Sequence, residues 1–185
     1  VSVSGPRLAV LLRAVNVGGR NRLPMAELVA ALTERGHRDV STYIQSGNVV
    51  LAAGDATPAA VASTVETVIA DVFGLHVRAV GRTHAELAEV VDADVFGDLA
   101  EGTARTYVGF LDRVVEPDAV GRLDPDAVAP DRFVVRGDHV FLHYRDGAGR
   151  SRLTTDLLER RLGAVVTVRN WNTVMRLHQL TAPSP

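Results

Sequence analysis

The chain of 185 residues contains no cysteine, which removes thiolate nucleophiles, disulfides, zinc ribbons and iron–sulfur ligation together. It also contains no lysine. All 20 basic residues are Arg, so a Walker lysine, a Schiff-base lysine and a lysine general base are impossible. No apolar run approaches the roughly 20 residues of a membrane helix, and Leu8 to Leu12 falls below the 7 to 15 residues of a signal-peptide core. With 46% apolar side chains the chain has enough material for a core, and the expectation is a soluble, cytoplasmic, globular protein without a membrane partner. Aromatics make up only 5% of the residues, so every Tyr, Phe and Trp placement matters to a nucleic-acid reading.

The net charge of −2 argues against indiscriminate affinity for nucleic acid, but it averages over unlike segments. Arg7 to Arg38 carries six Arg against Glu27 and Glu34, and Arg132 to Arg176 carries nine Arg against four acids. The intervening residues are acidic. The two basic segments also hold three polar runs that abut apolar stretches: Asn16-Val17-Gly18-Gly19-Arg20-Asn21, Gln45-Ser46-Gly47-Asn48 and Arg169-Asn170-Trp171-Asn172-Thr173.

Periodicity gives a coarse order of elements. Arg7 to Ala14 reads as a strand; a helix follows from Pro24, with Leu28, Val29 and Leu32 on one stripe and Gly36 at its end. Val40 to Gln45 and Asn48 to Leu51 read as a hairpin around Ser46-Gly47. Thr57-Pro58 opens a second helix, striped by Val61, Val65, Val68, Ile69 and Val72 and closed by Gly74, and Leu75 to Val80 reads as a strand. After an acidic connector helix opened by the capping box Thr83-His84-Ala85-Glu86 the order recurs. It comprises strand Arg105 to Leu111, helix Glu116 to Arg122, a hairpin of Arg132 to Arg136 with His139 to Tyr144 over Gly137-Asp138, a helix striped by Leu153, Leu157, Leu158 and Leu162, and strand Val165 to Val168. A helix from about Asn172 to Leu180 closes the chain.

Two successive βαββαβ units predict an α+β protein of two ferredoxin-like modules with antiparallel sheets. The boundaries are 1–81 for the first module, 82–103 for the connector, and 104–185 for the second module with its C-terminal helix. The duplication rests on the order of elements, without a residue-level repeat.

The runs Leu11 to Gly19, Thr42 to Val50, Leu153-Thr154-Thr155 with Leu158-Glu159-Arg160, and Arg169 to Val174 together resemble the bacterial domain-of-unknown-function 1697 family, in the same order and over nearly the whole chain. The resemblance implies a pair of ferredoxin-like modules and a family with no established activity. Arg20 and Arg152 stand where relatives often have Lys, which keeps the charge and changes the hydrogen-bond geometry.

The candidate site residues come from the polar runs. A strand-to-helix loop over Asn16, Gly18, Gly19, Arg20 and Asn21, beside Arg13, can offer amides and guanidiniums to an anion, although its glycines equally serve a tight turn. Gln45, Ser46 and Asn48 occupy a hairpin, where they form the turn or hydrogen-bond a ligand or adjacent loop. Asn170 or Asn172 caps the last helix while Trp171 packs, which leaves Arg169 without an obvious structural role. Thr154 and Thr155 read first as an N-cap pair, with Arg152 beside them as an oxyanion partner.

Histidine offers no metal site at this level. His139 and His143 share a strand face roughly 13 Å apart, while His37, His76, His84 and His178 are isolated and read as surface residues. No cofactor or metal is expected. The reading chosen is a small anionic ligand, bearing phosphate or carboxylate, held by Arg- and Asn-rich loops. The alternatives are a single-stranded nucleic-acid module, for which Tyr107, and Phe141 with His143, are the candidate stacking residues, and a noncatalytic scaffold whose polar loops only pin the modules. Enzyme status and oligomeric state are not assigned.

Overall fold

The computed structural model describes residues 5–18, 21–93, 95–96 and 104–183. The chain divides into two compact units, residues 1–90 with 176–185 and residues 91–175. The first unit runs β1 (Arg7–Leu12), α1 (Met25–Glu34), β2 (Ser41–Tyr43), β3 (Asn48–Ala52), α2 (Pro58–Phe73), β4 (Ala79–Thr83) and α3 (His84–Asp92). Its sheet is antiparallel in the order β2-β3-β1-β4, which is the split-βαβ arrangement expected from the element order. Along β1, Leu8, Val10 and Leu12 alternate onto the helix-covered side. There they pack with Val49 and Leu51 of β3, Leu28 and Leu32 of α1, and Val65 and Ile69 of α2. Each such Leu is at most 1% exposed, and full burial of one contributes about 1.5–3 kcal/mol.

The helix ends follow the sequence signals. Thr57 Oγ1 accepts the Ala60 amide at 3.2 Å, Pro58 opens α2, and Gly74 at φ 65° closes it. α3 begins with a reciprocal capping box. The Glu86 carboxylate accepts the Thr83 amide at 2.7 Å, and Thr83 Oγ1 accepts the Glu86 amide at 3.2 Å.

Two boundaries differ from expectation. The fourth strand is Ala79–Thr83 and not Leu75 to Val80, because register against β1 selects it: Leu12 pairs with Ala79 and Leu8 with Thr83. Leu75 and Val77 instead fill the core from the preceding segment, and Glu66 fixes the strand start by accepting the Ala79 amide at 2.7 Å. The first hairpin pairs Tyr43 with Asn48, so its tip is the four residues Ile44 to Gly47 and Asn48 lies inside the strand, fully buried.

The second unit repeats the topology with β5 (Thr106–Leu111), α4 (Pro117–Val120), α5 (Pro125–Val128), β6 (Arg132–Arg136), β7 (His139–His143), α6 (Thr155–Leu162) and β8 (Val166–Asn170), in the sheet order β6-β7-β5-β8. α7 (Trp171–Thr181) follows β8 directly. The short helix expected over Glu116 to Arg122 is the single turn α4, and a second turn, α5, follows it beyond the expected span. Pro125 prevents continuation, and Asp124 caps the second turn by accepting the Asp126 amide at 3.0 Å. The β6–β7 hairpin turns through two residues, with Gly137 at φ 59° as its first.

Gly47 is the tightest backbone position near the polar runs. Its φ is 83°, its carbonyl accepts the Leu12 amide at 2.8 Å, and a Cβ there would strike Val15 Cγ2 and lie 2.8 Å from Leu12 Cβ. Gly54 has a similar φ of 58° with open space around it. Gly47→Ala is therefore expected to cost on the order of 2–4 kcal/mol, from the left-handed backbone and overpacking together, against about 1 kcal/mol for Gly54→Ala. Urea denaturation of the two variants measures the difference.

Candidate functional site

The first two polar runs meet, and hydrogen bonds explain how. Asn16 sits at φ 53° in the loop after β1, a conformation its side chain tolerates better than most. Its Nδ2 donates to Leu23 O and to Gln45 O, each at 2.9 Å, and its Oδ1 accepts the Leu23 amide at 2.8 Å. One carboxamide thus closes the loop onto the start of α1 and ties it to the hairpin tip. Asn21, at φ 46°, repeats the device by donating to Ala14 O at 3.1 Å, and its carbonyl accepts the Asn16 amide at 3.1 Å. Asn48 donates from within β3 to Tyr43 O at 2.9 Å and toward Ser46 Oγ at 3.4 Å. Arg13 is partly buried, and its amide donates to Arg78 O at 2.8 Å. The Gln45 side chain and Gly18 are exposed, whereas Gly19 and Arg20 lie outside the described residues.

The third run belongs to the second unit and forms the β8–α7 junction. Arg169 is 8% exposed and donates from one terminal nitrogen to Thr167 Oγ1 at 2.7 Å and Val168 O at 2.9 Å. Burial lowers its pKa to about 10. A base depressed in this way opposes folding while charged, so the penalty is fully present at neutral pH and fades as pH rises through 10. Asn170 Oδ1 accepts the Thr173 amide at 2.8 Å and caps α7; Trp171 is buried and Asn172 exposed.

This junction has a counterpart that the sequence reading missed. Arg82 is 4% exposed and donates to Gly81 O at 2.8 Å, and Thr83 caps α3 three residues ahead of its partner amide, as Asn170 does for α7. Gly81-Arg82-Thr83-His84 and Val168-Arg169-Asn170-Trp171 are the same strand–Arg–cap–helix device. A residue-level repeat therefore exists at the last strand of each unit, hidden because only Arg is identical.

Histidine also departs from expectation. His84 and His178 are not isolated surface residues: their rings stack at 4.4 Å, 9° from parallel, with His84 Nδ1 3.1 Å from His178 O. His139 is buried, with Nδ1 2.5 Å from Asp138 Oδ1. Among the described residues no three His, Asp or Glu side chains gather as a metal site would need. The candidate stacking aromatics are covered. Phe141 is 2% exposed, and Tyr107 packs edge-on against Tyr144 at 5.0 Å in the helix-covered core. Among the described residues no helix is long and apolar enough to cross a membrane.

The remaining predicted residues lead to a cleft in the second unit. Thr154 Oγ1 caps α6 by accepting the Leu157 amide at 3.2 Å, and Thr155 is the first helical residue. Just before them, the segment Asp146 to Arg152 makes a short 3-10 turn (Ala148–Arg150) that borders a cleft of about 220 Å³. Val128, Ala129, Pro130 and Asp131 form the facing wall, and Asp146, Gly147, Arg150, Ser151 and Arg152 complete the lining. Asp131 holds the walls together: Oδ1 accepts the Arg145 amide at 2.9 Å and Oδ2 accepts the Ser151 hydroxyl at 2.5 Å. Ser151 Oγ in turn accepts the Leu153 amide at 2.8 Å, so both its proton and a lone pair are engaged. Arg152 donates to Ala129 O at 2.9 Å, which sets one guanidinium nitrogen on the wall and leaves others toward solvent. Behind the cleft the buried Tyr144 hydroxyl donates to Leu153 O at 3.2 Å, and burial, reinforced by the Asp131 charge, raises its pKa and keeps it a donor.

Among the described residues, Arg152 is the one sequence candidate that lines this cleft. The signal for the rest was the Gly-rich, charge-alternating stretch Asp146-Gly147-Ala148-Gly149-Arg150-Ser151-Arg152, set between the second hairpin and α6.

Asn16→Ala removes three hydrogen bonds and places Ala in a left-handed conformation, so it is expected to lower stability by on the order of 3 kcal/mol. Asn16→Gly, which relieves the backbone, should recover about 1 kcal/mol of that in urea melts.

A family model described as "Protein of unknown function (DUF1697)" matches residues 6–141. Among solved structures, the conserved bacterial protein SP0830 from Streptococcus pneumoniae is similar, with a TM-score of 0.68 at 24% identity over 96% of this chain and 99% of that one. That likeness shows the fold. No curated protein matches the chain.

Proposed function

The chain belongs to the DUF1697 family, and from that premise we propose that it binds a small ligand bearing a phosphate or carboxylate, in the cleft of the second unit. The observation that carries this reading is the placement of Arg150 and Arg152 on the lining of one cleft, on a segment that Asp131 fastens at two points. Ala129 O holds the Arg152 guanidinium on the wall, and a planar donor already positioned suits an oxyanion because it loses little freedom on binding. The cleft, at about 220 Å³, lies below the roughly 300–1,000 Å³ of drug-sized pockets, so a ligand of amino-acid or small-phosphate size fits and a whole nucleotide does not fit inside it. Ser151 gives its proton to Asp131 and a lone pair to the Leu153 amide, which ties it to the wall, and the proposal is of binding and not of covalent catalysis.

A second reading applies to the loops of the first unit and to the β8–α7 junction. Asn16, Asn21, Asn48 and Asn170 satisfy backbone groups, which supports a structural role for residues that sequence placed among ligand contacts. Phe141 is buried and Tyr107 packs against Tyr144, which leaves a nucleic-acid role without the stacking residues that the sequence offers it.

Calorimetric titration with inorganic phosphate and small carboxylates tests the proposal. Arg152→Ala is expected to weaken any affinity about tenfold or more, the loss of one charge-assisted contact, whereas a first-unit variant such as Asn21→Ala lowers melting temperature and leaves affinity unchanged. Unaltered binding in Arg152→Ala, or loss of it in Asn21→Ala under conditions where that variant is folded, contradicts the assignment.

A further inference from the structure

The charges around the cleft do not suit a bare anion. Arg150 and Arg152 are matched on the same lining by Asp131 and Asp146, so the site is neutral overall. Both Asp131 oxygens accept from neutral donors, the Arg145 amide and the Ser151 hydroxyl, which fixes the carboxylate without cancelling its charge. Asp146 precedes the Ala148–Arg150 turn and Arg150 ends it, and among the described residues they form no ion pair with each other or with any other group. Arg152 meets a carbonyl and no carboxylate. Opposite charges thus border one small concavity without neutralising one another. A phosphate entering alone gains the two guanidiniums but also meets two carboxylates at close range, and the terms offset.

We infer that the ligand of this cleft is a zwitterion, its acid group on Arg150 and Arg152 and its ammonium toward Asp146, as in a short amino acid or an aminoalkyl phosphate. The inference rests on the cleft being the binding site. A ligand with its charged groups about two to four bonds apart satisfies both halves of the lining at once, and the cleft volume of about 220 Å³, roughly seven times a water molecule's share of the liquid, matches a molecule of that length. Complementarity of this kind acts chiefly on selectivity. The same acid without its ammonium leaves Asp146 facing an apolar end, and the same amine without its acid leaves two guanidiniums unmet.

Two isosteric pairs test it on the full chain by calorimetry: phosphoethanolamine against propyl phosphate, and β-alanine against butyrate. The expected result is at least about tenfold tighter binding of the zwitterion in a pair, a ratio that falls toward one in Asp146→Asn while the affinity for the matching anion stays the same or improves. Asp146 is exposed, and circular dichroism confirms that the variant is folded. Equal affinities within both pairs, or tighter binding of the plain anions, overturn the inference and leave the anion site standing. A zwitterion preference that survives Asp146→Asn also overturns it, since the ammonium is then read elsewhere. Failure of all four compounds to bind removes the cleft reading and the inference together.

Discussion

The second unit's candidate site depends on one carboxylate. Asp131, at the start of the strand that follows two short helical turns, accepts a backbone amide from Arg145 and a hydroxyl from Ser151, so two segments with no regular pairing between them are pinned to a common point. A partly buried carboxylate with two short donors is a strong anchor, each bond to a charged group contributing about 1.5–3 kcal/mol. The Ser151 hydroxyl passes the constraint on to the Leu153 amide, and Tyr144 holds the Leu153 carbonyl from the core side. The cleft is therefore formed by a short chain of hydrogen bonds in which Asp131 is the charged member.

Comparison of the two units shows what builds the cleft of the second. Both have the same strand order, and both end in a buried Arg followed by a capping residue and a helix. They differ where the cleft lies. In the first unit, β3 reaches α2 through residues 53–57, and α1 is one regular helix. In the second, β7 reaches α6 through residues 144–154, and two one-turn helices stand in place of a long one. The longer connection and the interrupted helix supply the two walls. A duplicated scaffold kept its sheet and its junctions, and the departure from the repeat is where concavity and unpaired charge accumulate.

Much of the fold was legible in the sequence because local signals and tertiary demands agreed. Thr57, Pro58 and Gly74 mark both ends of α2, and Thr154 and Gly163 mark those of α6. The fourth strand was misplaced because Leu75 and Val77 are apolar for the core, and only pairing with β1 selects Ala79–Thr83. The site was less legible. Asn and Gly beside strand ends look alike whether they meet a ligand or their own backbone, and Asn16 shows the second case only once Leu23 and Gln45 are seen to converge on it. Arg152 was picked out for its position next to Thr154, while Asp131 gave no sign, because the partners that define its role lie 14 and 20 residues away.

On the proposed reading, ligand recognition belongs to the segment from Arg145 to Leu153, and the Asn-rich loops of the first unit are structural. A residue-resolved map of backbone amide shifts in an isotope-labelled sample, recorded as a small zwitterionic phosphate is added, tests that division most directly. The account predicts saturable shifts confined to Ala129, Asp131 and residues 145–153. Shifts centred instead on residues 13–23 and 44–48, with the Arg145 to Leu153 amides unmoved, would contradict it.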